Sequence, residues 1–211
     1  MGQVKLSNTD LERIAHLHQD ELPKSLLAAF GPQFLKEFYQ ALDTDPDAFI
    51  LVERSAGDIL GFITGGTSMV GVKNHFKRNL LYTIWLMRYS FFKPQLILRL
   101  IISVKRSLHK GRTSKRSVFD AELYSLVVIA SSQRKGVASK LYEQLCHVFD
   151  KLGVDGFEII VGSDLTNAQS FYKSRGAKKV RVIQQGFGKR SFVYAHTLQS
   201  RCVEKLSPEN K

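Results

Sequence analysis

Gln133, Arg134, Lys135, Gly136, Val137, Ala138 and Ser139 have the most chemically suggestive spacing in the chain. They form a polar, basic, glycine-bearing turn directly after the apolar run LYSLVVIA (123–130) and open the amphipathic pattern VASKLYEQL (137–145). The start of a helix leaves backbone N–H groups without intrahelical partners and carries the positive end of the dipole, so an anion binds there readily. Gly136 and Ala138 leave room for a phosphate to approach the backbone, and Arg134 or Lys135 can add charge. Taken alone, Q-x-x-G-x-A fits a phosphate cradle and an ordinary strand–helix connection equally well.

The remaining reactive side chains show no comparable spacing. The six histidines (16, 18, 75, 109, 147 and 196) are scattered without metal-ligand spacing, and no metal is expected. Cys146 lies in a helical pattern and Cys202 in a polar tail, which fits a reducing compartment and gives no disulfide framework. The opening MGQVKLSNTD has no apolar run of signal-peptide length, and Leu6 breaks the myristoylation pattern that Gly2 would begin, so a cytoplasmic location is expected.

The elements that must position the turn follow from hydrophobic period. QVKL (3–6) reads as a short strand, SNTDLERIAHLHQDEL (7–22) as a helix capped by Ser7, Asn8 or Thr9, and GPQFLKEFYQAL (31–42) as a second helix with Pro32 at its start. AFILVER and ILGFITGGT flank SAGD, where Gly57-Asp58 suits the tight turn of a hairpin. VFDAELYSLVVI reads as a long strand, followed by the helix after the turn and the strand GFEIIVG (156–162). A helix over NAQSFYKSRG, the strand AKKVRVIQQ, a GFGK turn and the strand RSFVYAHTL complete the pattern. Strands and helices in this order indicate a mixed α/β sheet. At 211 residues, 44% of them apolar, the chain is sized for one domain, expected over 1–202, with 203–211 a disordered tail.

LYSLVVIASSQRKGVASKL resembles the acetyl-CoA-binding motif of the GNAT superfamily of N-acetyltransferases, [RQ]-x-x-G-x-[GA] after a central strand, carried here by Gln133, Gly136 and Ala138. The element order is also similar, over about residues 3–69 and 118–199. The resemblance implies an α/β fold with a mixed, mostly antiparallel central sheet flanked by helices. It implies acetyl-CoA as cosubstrate, its pantetheine arm paired with the backbone of Leu126, Val127 and Val128. The pyrophosphate would lie over the amides of Arg134, Lys135, Gly136, Val137, Ala138 and Ser139. Tyr172, in AQSFYKSRGA, matches the family's tyrosine near the CoA sulfur and would donate a proton to the departing thiolate. The family's asparagine seven residues before it is Leu165 here, with Asn167 displaced by two as the nearest candidate for that cofactor contact. Glu122 stands eleven residues before Gln133, the offset of the catalytic glutamate in the histone-acetylating branch, and is the leading general base. Glu158 and Asp120 are the alternatives. A backbone N–H near Val128 would polarise the thioester carbonyl.

Residues 70–117 lie outside the resemblance. No Asp or Glu occurs between Asp58 and Asp120, and twelve of the 31 basic residues fall in 70–117, leaving 19 basic against 19 acidic in the rest of the chain. The segment reads as two helices joined near Lys93-Pro94 and a basic loop, KGRTSKRS, with apolar runs too short to cross a bilayer. A helical pair at the acceptor site or a homodimer interface, an amphipathic hairpin on an anionic membrane, and nucleic-acid binding are the open readings, the last disfavoured by the aliphatic character of the segment. Its charge favours an anionic small-molecule amine, such as an amino sugar or a nucleotide-linked amino sugar, over a polycation. Protein or peptide amines are the second acceptor class. A non-catalytic CoA-binding module docked through the basic segment is the alternative to an enzyme.

Overall fold

The computed structural model describes residues 5–86, 117–184 and 190–198. Helix α1 (Asn8–Glu21) starts with a capping box in which Ser7 accepts from the Asp10 N–H and the Asp10 carboxylate accepts from the Ser7 N–H. Helix α2 (Pro32–Asp43) starts on Gly31, at a φ of 90°, with Pro32 in its first turn. Strands β1 (Ala48–Ser55) and β2 (Asp58–Gly66) form the expected hairpin. Its turn residues are Ala56 and Gly57, both at positive φ (46° and 86°), not Gly57-Asp58. That pair of left-handed residues gives the twist a two-residue hairpin needs.

Helices α3 (Val70–Arg78) and α4 (Leu80–Leu86) follow, and then β3 (Ala121–Val128), α5 (Val137–Lys151), β4 (Gly156–Gly162), α6 (Thr166–Ser174), β5 (Lys178–Gln184) and β6 (Arg190–Thr197). The break between α3 and α4 falls at Asn79, whereas the sequence pattern runs helical through it. Lys5 and Leu6 are not in a strand; the Leu6 N–H bonds the Asp43 carboxylate instead, at 3.3 Å. The Lys93-Pro94 junction, the basic loop, the GFGK turn and the tail lie outside the described residues.

The six strands form one sheet in the order β1-β2-β3-β4-β6-β5, antiparallel except for β3 against β4. Two apolar layers cover it. Ile14, Leu35, Tyr39 and Leu42 of α1 and α2 pack with Phe62 on one face. On the other face Leu141, Leu145 and Phe149 of α5, spaced four apart, pack with Phe157 and Tyr194. Each such side chain contributes about 1.5–3 kcal/mol when fully buried, so both layers hold the central strands rigidly.

Candidate active site

The central strand is irregular where the chemistry is expected. Thr64 of β2 pairs with Ser125, but Gly65 pairs with Leu123, so Tyr124 is an extra residue on β3. A bulge of this kind bends the strand and increases its twist. The pairing of β3 with β4 stops at the same place, covering only Ala121–Phe157, Glu122–Glu158 and Leu123–Ile159. Beyond Leu123 the two strands part and leave a cleft in the sheet.

Backbone groups alternate in direction along a strand. The Ile129 N–H bonds the Leu60 carbonyl of the β2 strand, so Val127 is also turned toward β2 and Leu126 and Val128 are turned toward the cleft. Of the three strand residues expected to hold the pantetheine arm, Val127 therefore has its backbone directed to the sheet. The Val128 carbonyl accepts from Gln133 Nε2 at 3.1 Å, leaving the Val128 N–H and both Leu126 groups directed at the opening.

Gln133 is exposed, and its amide folds back onto the end of β3. Besides Val128 it reaches Glu21 Oε2 at 3.4 Å, and Glu21 Oε1 accepts from the Ala130 N–H at 2.8 Å. The turn is clamped between the end of β3 and the last residue of α1. After it the chain passes through Arg134 at φ 60° and Gly136 at φ 86°, and α5 begins without any side-chain cap. Its first intrahelical bond among the loop contacts is Lys140 N–H to Gly136 O, at 3.0 Å, so the N–H groups of Val137, Ala138 and Ser139 are left for an external acceptor. Arg134 and Lys135 are exposed and form no ion pair among the described residues. The Ser139 hydroxyl accepts from Arg175, whose guanidinium also bonds Glu143 at 3.1 Å, tying α6 to the first turns of α5.

Glu122 is half-buried at the closed end of the cleft, between Gly66 of β2 and Glu158 of β4. Burial, followed by the negative charges of Glu122, Asp45 and Asp47, pushes the Tyr124 phenol well above its usual value. A Cβ on Gly66 would run into the Asp47 carbonyl oxygen and stand 2.9 Å from the Tyr124 hydroxyl, which explains a residue without a side chain there. Asp45 is held by the N–H groups of Asp47 and Val72, at 3.0 and 2.9 Å, and so fixes the start of α3.

The alternatives to Glu122 fare differently. Glu158, only 4% exposed, is engaged by Arg181 through both oxygens, at 3.1 and 2.6 Å, and accepts from the Val118 N–H at 2.7 Å. It is a structural anchor and not a free base. Asp120 is exposed just ahead of β3. Tyr172 lies in α6, buried against Tyr142 and Phe171, and burial raises its phenol so that it stays protonated. Asn167 is exposed in the first turn of α6. Glu21, Tyr124, Ser125, Asp45 and Arg175 are site-building residues that the sequence motifs do not single out. No cluster of His, Cys, Asp and Glu among the described residues could hold a metal ion. A hollow of about 810 Å³ between α1, the turn before α2 and Trp85 shares no residue with the cleft.

Residues 11–177 match the Acetyltransferase (GNAT) family. The chain belongs to the GNAT family of acetyltransferases. No curated protein matches it in sequence. Among solved structures, an aminoglycoside 6'-N-acetyltransferase complexed with coenzyme A aligns over 95% of this chain and 97% of its own, with 13% identity and a TM-score of 0.59. An N-acetyltransferase from Staphylococcus aureus Mu50 aligns over 92% and 96% at 14% identity, also with a TM-score of 0.59. The ribosomal-protein-S18-alanine N-acetyltransferase from Escherichia coli aligns over 98% and 96% at 14% identity, with a TM-score of 0.54. At these identities the likeness is one of fold.

As a GNAT enzyme the chain is an acyl-CoA-dependent N-acetyltransferase with acetyl-CoA as cosubstrate. Its residues fit that cosubstrate. The uncapped N–H row of α5 suits a pyrophosphate, and the Val128 N–H with the Leu126 backbone groups, directed at the opening, suits an amide-bearing arm lying in the cleft as an added strand.

Proposed function

We propose that this GNAT enzyme acetylates the primary amine of an anionic small molecule, an amino sugar or nucleotide-linked amino sugar, by direct transfer in a ternary complex. The observation that carries the reading is the cleft, with open strand backbone along one wall, an uncapped helix start beyond it and Glu122 at its closed end. Acetyl-CoA supplies the acetyl group as a thioester. The Val128 N–H is directed at the cleft, where a donor stabilises negative charge developing on the thioester oxygen.

An acceptor amine enters as an ammonium and must lose a proton before it attacks. Glu122, with Asp47 and Asp45 nearby, favours the cationic amine electrostatically, and Glu122 takes the proton directly or through a water. The acid-free segment from 59 to 119 attracts the acceptor's anionic part. Tyr172 is assigned as the donor to the departing thiolate. Burial keeps its phenol protonated and makes it a weaker acid, so the proton it gives must be replaced by the one taken off the amine, returned through Glu122 and water. Cys146 is not a nucleophile for a covalent route: burial, followed by the charge of Glu143, raises its thiol to about 11.

A panel of amino-sugar nucleotides, free amino sugars, peptides and polyamines, assayed with acetyl-CoA, tests the acceptor. Turnover confined to cationic acceptors would overturn it. Glu122→Gln is expected to lower kcat by about 10²–10⁴-fold with coenzyme A affinity retained, and a variant with near wild-type kcat would remove Glu122 from the role of base.

A further inference from the structure

We propose that the outer face of α3 and α4 is a docking surface for an anionic lipid membrane. The two helices form an extra layer over α2. Val72 and Leu86 are their inward anchors, Phe76 stacks on Phe34 at 5.2 Å between ring centres, and His75 Nε2 bonds Glu37 at 2.7 Å. Thr83 Oγ1 donates to the Phe76 carbonyl at 2.9 Å and fixes α4 against α3.

The outward side is apolar and largely exposed, with Trp85 at its edge, where it also lines the hollow against α1. Leu81 is 85% exposed, Leu80 60% and Trp85 52%, with Ile84 and Tyr82 also exposed. Tyr82 and Trp85 stack at 5.8 Å. In water such a patch is unfavourable, whereas indole and phenol rings sit well at the boundary between headgroups and acyl chains.

Charge selects the occupant. Lys73, Lys77 and Arg78 are exposed beside the patch and make no ion pair among the described residues. Neither helix contains an acidic residue, and each acidic side chain that touches them or lies beneath them is engaged: Asp45 accepts from the Val72 N–H at 2.9 Å, Glu37 bonds His75 at 2.7 Å and Glu12 pairs with Lys36 at 2.6 Å. Exposed aliphatic and aromatic side chains flanked by cations that make no ion pair among the described residues complement a negatively charged lipid surface. A nucleic acid would favour a polar face, and no helix of the described residues is long and apolar enough to cross a membrane, so the contact is peripheral.

Trp85 is the chain's single tryptophan and reports the contact directly. The intact protein should bind phosphatidylcholine vesicles containing phosphatidylglycerol, with a blue shift of tryptophan emission, and release in high salt. Binding to pure phosphatidylcholine should be weak. The triple variant Lys73→Gln, Lys77→Gln, Arg78→Gln should bind on the order of a hundredfold less tightly, about fivefold for each cation. Leu81→Ser should weaken binding without changing its salt dependence. The variants' circular dichroism and melting curves exclude unfolding as the cause. Equal binding to neutral and anionic vesicles, binding without a blue shift, or wild-type affinity in the triple variant would overturn the proposal. So would a blue shift that needs only an oligonucleotide or only raised protein concentration.

Discussion

Acid should destabilise this protein through His18, and the size of the effect follows from where the ring sits. His18 is 2% exposed, with Nδ1 2.5 Å from the Tyr39 hydroxyl and Nε2 2.8 Å from Ser25 Oγ. No carboxylate bonds it, and burial lowers the imidazole from 6.5 to about 4. In the unfolded chain the ring protonates near its ordinary value, so between those two values the unfolded state binds the extra proton. The contribution is present in full above about pH 6.5 and is lost as the pH falls toward about 4. The whole difference corresponds to roughly 3 kcal/mol, and about 2 kcal/mol of it is already gone near pH 5. Urea denaturation of the wild type and His18→Asn at about pH 7.5 and about pH 5 isolates the term, because the other titrating groups are common to both. The variant starts less stable, having lost the bond to Ser25. The wild type should then lose about 2 kcal/mol more than the variant between the two pH values. Equal losses in the two proteins would refute the reasoning.

Two further predictions bear on the cleft and its support. Gly136→Ala puts a left-handed φ of 86° on a residue with a side chain, at a cost of about 1 kcal/mol, while the new methyl meets no protein atom within 4 Å. Calorimetry should show weaker coenzyme A binding with a small change in melting temperature; unchanged affinity would remove the start of α5 as the phosphate site. Arg181→Met strands the buried Glu158 carboxylate and should cost about 3–5 kcal/mol at neutral pH. A loss below about 1 kcal/mol by urea denaturation would mean that the ion pair does not anchor β4 to β5.

Local signals made much of this fold legible. The hairpin, the Ser7 cap, the proline at the start of α2 and the Gln133–Ala138 turn each depend on residues within a few positions of one another. The break at Asn79 depends on what lies beneath: Phe76 is drawn onto Phe34, and Thr83 folds back on the carbonyls of Phe76 and Asn79. Glu21 is 109 and 112 residues from the turn it clamps, and no local pattern reports such a contact. Glu158 and Arg181 read as two ordinary strand charges until the sheet order brings β5 next to β6 and both close to β4. The bulge did leave a trace. Ala121 and Leu123 face the second core, and so do Leu126 and Val128, so the apolar alternation of β3 slips by one residue at Tyr124-Ser125.

That slip explains how one strand serves both core and cleft. A regular β3 would send Leu126 to the face of α1 and α2 and continue its ladder with β4. The extra residue keeps the apolar side chains on the face of α5 at both ends, while Tyr124 packs and Ser125 bonds on the other face. The negative charges of Glu122, Asp45 and Asp47 act on the Tyr124 phenol, and Ser125 acts on the phenol of Tyr39. Tyr39 bonds His18, and His18 bonds the half-buried Ser25, a polar chain in which burial favours the neutral imidazole. The opening between β3 and β4 is therefore supported from the side of Glu122, Asp45 and Asp47 and the start of α5 through Gln133, Glu21 and Arg175, the two supports meeting where His18 and Glu21 share the last turn of α1. A change at His18 is expected to read out in stability because the ring is buried between Tyr39 and Ser25, and a change at Gly136 in cofactor affinity because the glycine sets the start of α5 and a methyl there would meet no protein atom.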